Sequence, residues 1–165
     1  MHFVSARRRF AGHYLLPAAA LLFVSGCSSP PPPPPPTVVN LTLTTATDAN
    51  PTASGQGAPV IVRVYQLSSP AGFEKAEFFR LLNQDTATLG SDIVKKDEYL
   101  LPPSTTKTVN ISPGPTVKSL GVFAAYRDFR NVTWRGTAEI PPNKTTDVAV
   151  KADAKGIAVT AKPGS

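Results

Sequence analysis

Val39 to Thr45 alternates large apolar residues with asparagine and threonine, a period of two that marks a strand with one face buried. Pro59 to Leu67 (PVIVRVYQL) is richer still in β-branched and aromatic residues. It carries Val60, Val62 and Val64 on one side and Ile61, Arg63, Tyr65 and Leu67 on the other. Apolar character on both faces predicts a central strand. The period then changes: Phe73, Phe78, Leu81 and Leu82 recur at the spacings of an amphipathic helix, and a second short amphipathic piece follows around Thr86 to Leu89. Alternation returns in Thr105–Ile111, in the two-sided run Leu120–Arg127, and in Val132–Ile140 around Trp134. Two last strands, around Val148/Val150 and Ile157/Val159, flank Asp153-Ala154-Lys155-Gly156, a hairpin turn with glycine where a positive φ is required. About seven strands against two helices predict an antiparallel β-sandwich with a small helical insertion at about 73–92.

Ahead of the first strand the pattern is of another kind. Arg7 to Arg9 form a basic segment, Tyr14 to Val24 a short apolar one, and Ser25-Gly26 supply the small residues of a cleavage site, which together read as an export signal. The apolar run is shorter than the 20 or so residues a spanning helix needs and contains Pro17. Val24-Ser25-Gly26-Cys27 resembles the bacterial lipobox, in which the cysteine thiol is acylated and the chain is cut before it. Two or more acyl chains anchor a protein stably, because each buried methylene contributes about 0.8 kcal/mol. Pro30 to Pro36 then make a stiff polyproline II spacer of roughly 22 Å. The organisation expected is a signal at 1–26, an acylated cysteine and linker at 27–37, and one sandwich domain at 38–165.

Composition narrows the chemistry. The formal charge of +6 is inflated by the three arginines of the signal, leaving fourteen basic against eleven acidic residues, too even for a nucleic-acid protein. Cys27 is the only cysteine, so the domain holds no disulfide and depends on packing. Both histidines, His2 and His13, fall in the signal, which removes the usual general base and the commonest metal ligand from the mature chain. The close carboxylates Asp97-Glu98 and Glu74/Glu77 sit in amphipathic contexts that suit a solvated face. No catalytic residue, metal site, cofactor or small-molecule substrate is expected.

The order Asn50-Pro51, Gly55, Pro59-Val-Ile-Val-Arg-Val-Tyr-Gln-Leu67, Phe78-Phe79, Leu89-Gly-Ser-Asp92, Leu120-Gly-Val122, Ala125-Tyr-Arg-Asp128 and Trp134-Arg135 closely resembles the TssJ family, the outer-membrane lipoproteins of the type VI secretion system. The similarity runs from about Val38 to Val150. It departs at the long proline tract and at Pro102-Pro103-Ser104, where members often carry Pro-Gly, a segment expected to stand clear of the binding loop. The resemblance implies a transthyretin-like sandwich anchored in the outer membrane and facing the periplasm. Ser28 after the cysteine, rather than aspartate, agrees with that sorting. It also implies a partner, the periplasmic domain of TssM, with TssL in the wider trans-envelope complex.

The segment Thr47–Ala58 (TDANPTASGQGA) is the candidate partner site. It is long for a hairpin loop, it lacks any large apolar residue, and the resemblance points to the same connection. Asp48, Asn50 and Gln56 would supply hydrogen bonds, Pro51 would limit the entropy lost on docking, and Gly55 and Gly57 would let backbone approach closely. A glycan- or peptidoglycan-binding lipoprotein is the alternative, and it would need exposed aromatics. Trp134, the sole tryptophan, lies in an alternating strand that suits core packing. A hydrolase on the same fold would need the absent histidines.

Overall fold

A computed structural model describes residues 30–164. The export signal and Cys27 lie outside them. The proline tract is exposed, and the first strand begins directly after Thr37.

Eight strands form two four-stranded sheets. The first sheet holds β1 (Val38–Thr45), β4 (Thr106–Ile111), β7 (Thr145–Asp153) and β8 (Gly156–Pro163) in the order β4-β1-β7-β8. The second holds β2 (Val60–Leu67), β3 (Ile93–Leu101), β5 (Ser119–Ala124) and β6 (Arg135–Glu139) in the order β3-β2-β5-β6. Between β2 and β3 come α1 (Ala71–Lys75), α2 (Phe78–Leu89) and a short 3-10 turn. The sandwich with one helical insertion is as the sequence predicts, with one refinement: β1 pairs with β7 in parallel, Val38 opposite Thr145 through Thr45 opposite Ala152. Every other pairing between strands is antiparallel. A parallel pair needs a long crossover, and here the whole second sheet supplies it.

Alternation places Val39, Leu41 and Leu43 of β1 against Val60, Val62 and Val64 of β2, with Leu120 and Val122 of β5 and Val148 and Val150 of β7 completing the interior. The other faces of β2 and β5 are also buried, because the helices lie on them. Tyr65, Leu67 and Phe123 pack there with Phe73, Phe78, Leu81 and Leu89. Two arginines fasten the insertion. Arg63 donates to the carbonyls of Leu81 and Leu82, each at 2.9 Å, just before α2 breaks at Gln84, so it satisfies carbonyls that the break orphans. Arg135 donates to the carbonyls of Phe73, at 3.3 Å, and Ala76.

β3 was not among the expected strands. Lys95, Lys96, Asp97 and Glu98 interrupt its apolar pattern, and its position at the sheet edge leaves most of it exposed. Its charges still meet partners on the outer face: Glu98 takes the Arg63 Nε at 2.6 Å, and Lys96 reaches Asp85 at 2.8 Å. Asp85 also accepts the Tyr65 hydroxyl at 2.9 Å and the Thr86 amide at 2.8 Å. Burial pushes the Asp85 carboxyl up, but these hydrogen bonds from Lys96, Tyr65 and Thr86 outweigh it and hold the group below the usual carboxylate range. A carboxyl lowered on folding contributes stability above its unfolded value, about 4, and that contribution is lost as pH falls through the folded value. Urea midpoints measured from pH 7 downward should therefore fall beginning near pH 4, and Asp85→Asn should flatten that fall. An equal acid slope in both proteins would count against this role.

Candidate partner-binding surface

Strand direction sorts the connections. β1 starts beside the 141–144 turn, where Val38 donates to the Lys144 carbonyl at 3.0 Å and the Thr37 hydroxyl accepts the Asn143 amide at 2.9 Å. It ends at Thr45, about 23 Å away at the usual rise per residue. The far end gathers the β1–β2 loop (46–59), the β3–β4 turn (102–105), the β5–β6 segment (125–134) and the β7–β8 hairpin.

Those connections are bonded to one another. Ala46 donates to the Ala152 carbonyl at 2.8 Å, and Ser104 donates to the Ala46 carbonyl at 3.3 Å. The Pro102–Ser104 turn therefore meets Ala46, the residue just before the Thr47–Ala58 segment. Ser104 has φ of 56°, the left-handed region that glycine prefers. Tyr126 is buried and its hydroxyl donates toward the carbonyls of Asp153, 3.0 Å, and Gly156, 2.9 Å. Ile157 donates to the Thr133 carbonyl at 2.7 Å.

The β1–β2 loop does not close a hairpin, since its two strands belong to different sheets. It folds back on itself as a finger instead: Ala58 donates to the Ala49 carbonyl at 2.9 Å, Thr52 to the Gln56 carbonyl at 2.8 Å, and Gly55 to the Thr52 carbonyl at 2.9 Å. Asp48, Gly55 and Gln56 are exposed on it, while Pro51 and Gly57 are half-buried. Gly55 takes a φ of 79° at the tip. Gly57 is required from within, because a Cβ there would run into the Thr47 carbonyl.

Asn50 differs from its expected part. It is 3% exposed and has a φ of 50°, its Nδ2 donates to the Pro59 carbonyl at 2.7 Å, and its Oδ1 accepts the Arg127 amide at 2.9 Å. Both polar atoms are engaged inside the fold, so Asn50 sets the shape of the finger and leaves outward hydrogen bonding to Asp48 and Gln56. Nothing in the loop's composition distinguishes these roles. The asparagine itself is the one local hint, since it tolerates positive φ.

Trp134 is half-buried, with its ring edge-on to Phe78 at 5.2 Å and to Phe123 at 5.8 Å, and Arg135 lies 4.6 Å from its centroid. It packs the insertion against β5, as its alternating context suggests.

Residues 37–155 match the family described as Type VI secretion lipoprotein (VasD, EvfM, TssJ). The chain belongs to the TssJ family. Among solved structures it is similar to the type VI secretion lipoprotein TssJ1 from Pseudomonas aeruginosa, with 35% identity and a TM-score of 0.76, covering 79% of this chain and 100% of that one. Serratia marcescens Lip, a membrane-bound component of the same kind of system, is 26% identical with a TM-score of 0.70, covering 76% of this chain and 98% of its own. A chain in the structure of the TssM C-terminal domain (869–1107) from EAEC shares the fold, with 24% identity, a TM-score of 0.61, and coverage of 74% of this chain and 99% of that one. No curated protein sequence matches. Membership in the TssJ family makes the chain a lipoprotein of the type VI secretion system with a β-sandwich domain.

Proposed function

We propose that this protein is an outer-membrane anchor, acylated at Cys27, whose domain holds the periplasmic domain of TssM and so helps assemble the trans-envelope complex. Its role is then structural rather than enzymatic. The observation that carries the reading is the placement of linker and finger at opposite ends of β1. A chain tethered through Thr37 presents the finger at the end remote from its tether. The signal at 1–26, the linker at 27–37 and the domain at 38–165 divide the work into export, anchoring and binding.

Loss of the lipid tests the anchor separately from the binding. Cys27→Ala should leave a folded protein that still captures the TssM periplasmic domain but is released from the membrane fraction, because the acyl chains supply the membrane affinity. Retention of Cys27→Ala in the outer membrane of a cell lacking TssM would contradict the lipid anchor.

A further inference from the structure

The finger offers a partner backbone and small polar side chains but no large anchoring group. Its exposed residues are Thr47, Asp48, Ala53, Ser54, Gly55, Gln56 and Pro59, whereas the positions that dominate interfaces are enriched in arginine and large aromatics. Such groups stand next to it. The Asn50 Oδ1 bond to the Arg127 amide joins the finger to the β5–β6 segment, where Arg127 and Arg130 are exposed. Among the described residues neither arginine forms an ion pair, and the nearby carboxylate of Asp128 is occupied by Asn131 at 2.8 and 3.0 Å. Between them Phe129 stacks on the buried Phe78, centroids 4.4 Å apart and planes 15° apart, and meets Phe79 edge-on at 5.0 Å. Phe79 is 56% exposed, although its neighbours on α2 offer a core into which an apolar ring would normally turn.

We infer that Phe79, Phe129, Arg127 and Arg130 form a second energetic centre beside the finger, and that the partner meets them with an apolar socket flanked by carboxylates. This deepens the proposed function and rests on it. The aromatic pair is held from behind by Phe78, which itself packs on Trp134 and Phe123, so little side-chain freedom remains to be lost on docking. Neither guanidinium is paired with a carboxylate among the described residues, Arg130 resting 5.6 Å from the centroid of the Phe129 ring, and each can donate two parallel hydrogen bonds to a partner's carboxylate. On this account the helical insertion has a function besides covering the second sheet. It carries Phe79 to the surface and fixes Phe129 beside it.

The test uses the full-length lipoprotein in detergent and the purified TssM periplasmic domain, with binding followed by biolayer interferometry and folding by thermal melting. Phe79→Ala should weaken binding roughly tenfold, and the double variant Arg127→Glu/Arg130→Glu roughly a hundredfold or more, with melting close to wild type. The wild-type association rate should fall as salt rises from about 0.05 to about 0.5 M, and the double variant should lose that dependence. Val94→Ala, which trims an exposed apolar residue on β3, should bind like wild type. Affinities within about twofold of wild type for both Phe79→Ala and Arg127→Glu/Arg130→Glu would overturn the inference. If a shortened finger abolishes binding in that same series, the proposed function stands and this centre alone falls; if the shortened finger also binds normally, both fall.

Discussion

Replacing Tyr65 with alanine should lower the stability of the domain by about 3–5 kcal/mol, the range for deleting a large buried ring. Tyr65 is fully buried on the outer face of a central strand, 5.5 Å from the Phe73 ring, and its hydroxyl is one of the donors that keep Asp85 ionised. Alanine would leave a cavity beneath the helical insertion and remove a hydrogen bond from a buried carboxylate at the same time. For a domain of this size the melting temperature should drop by about 10–20 °C. Tyr65→Phe separates the two contributions, since it keeps the ring and leaves Asp85 with Lys96 and the Thr86 amide. It should cost about 1 kcal/mol, the usual net worth of one hydrogen bond. A Tyr65→Ala domain that melts like wild type yet fails to bind TssM would move Tyr65 from the core to the interface.

Most of the sandwich is legible because β1, β2, β5 and β7 each bury at least one full face, which forces period two into the sequence. The two-sided runs at Val60–Leu67 and Leu120–Ala124 even reveal which strands are central, since helices cover one side and the second sheet the other. β3 escapes for the opposite reason. Its outward residues Lys96 and Glu98 are satisfied by Asp85 and Arg63, so ion pairs stand where the apolar half of an alternation would be. The expected strand Leu120–Arg127 stops at Ala124, because Tyr126 and Arg127 leave the ladder to bond the hairpin and Asn50. The parallel pairing of β1 and β7 depends on chain crossing between sheets, which no local pattern encodes. At the site, length and small polar composition mark the loop, but its division into an inward Asn50 and outward Asp48 and Gln56 is a consequence of tertiary contacts. The aromatic and arginine residues beside it come from a different part of the chain.

Shortening the finger should weaken binding as strongly as reversing the two arginines. Thr52 to Gly57 can be exchanged for Asn-Gly, a pair suited to a tight reversal. The rationale is the finger's own pairing, since β1 and β2 do not form a hairpin. The exchange keeps the Ala58 to Ala49 hydrogen bond, the Asn50 contacts to Pro59 and Arg127, and the Ala46 contacts to Ala152 and Ser104, all of which lie outside the replaced residues. It removes the exposed tip with Gly55 and Gln56. Folding and membrane attachment should therefore stay near wild type while the partner loses every contact to the tip of the finger. The deciding measurement is the affinity of this variant for the TssM periplasmic domain, taken beside wild type with both proteins shown to melt alike. A loss of roughly a hundredfold or more is expected, together with loss of secretion in cells that carry the variant. An unchanged affinity in a fully folded variant would contradict it.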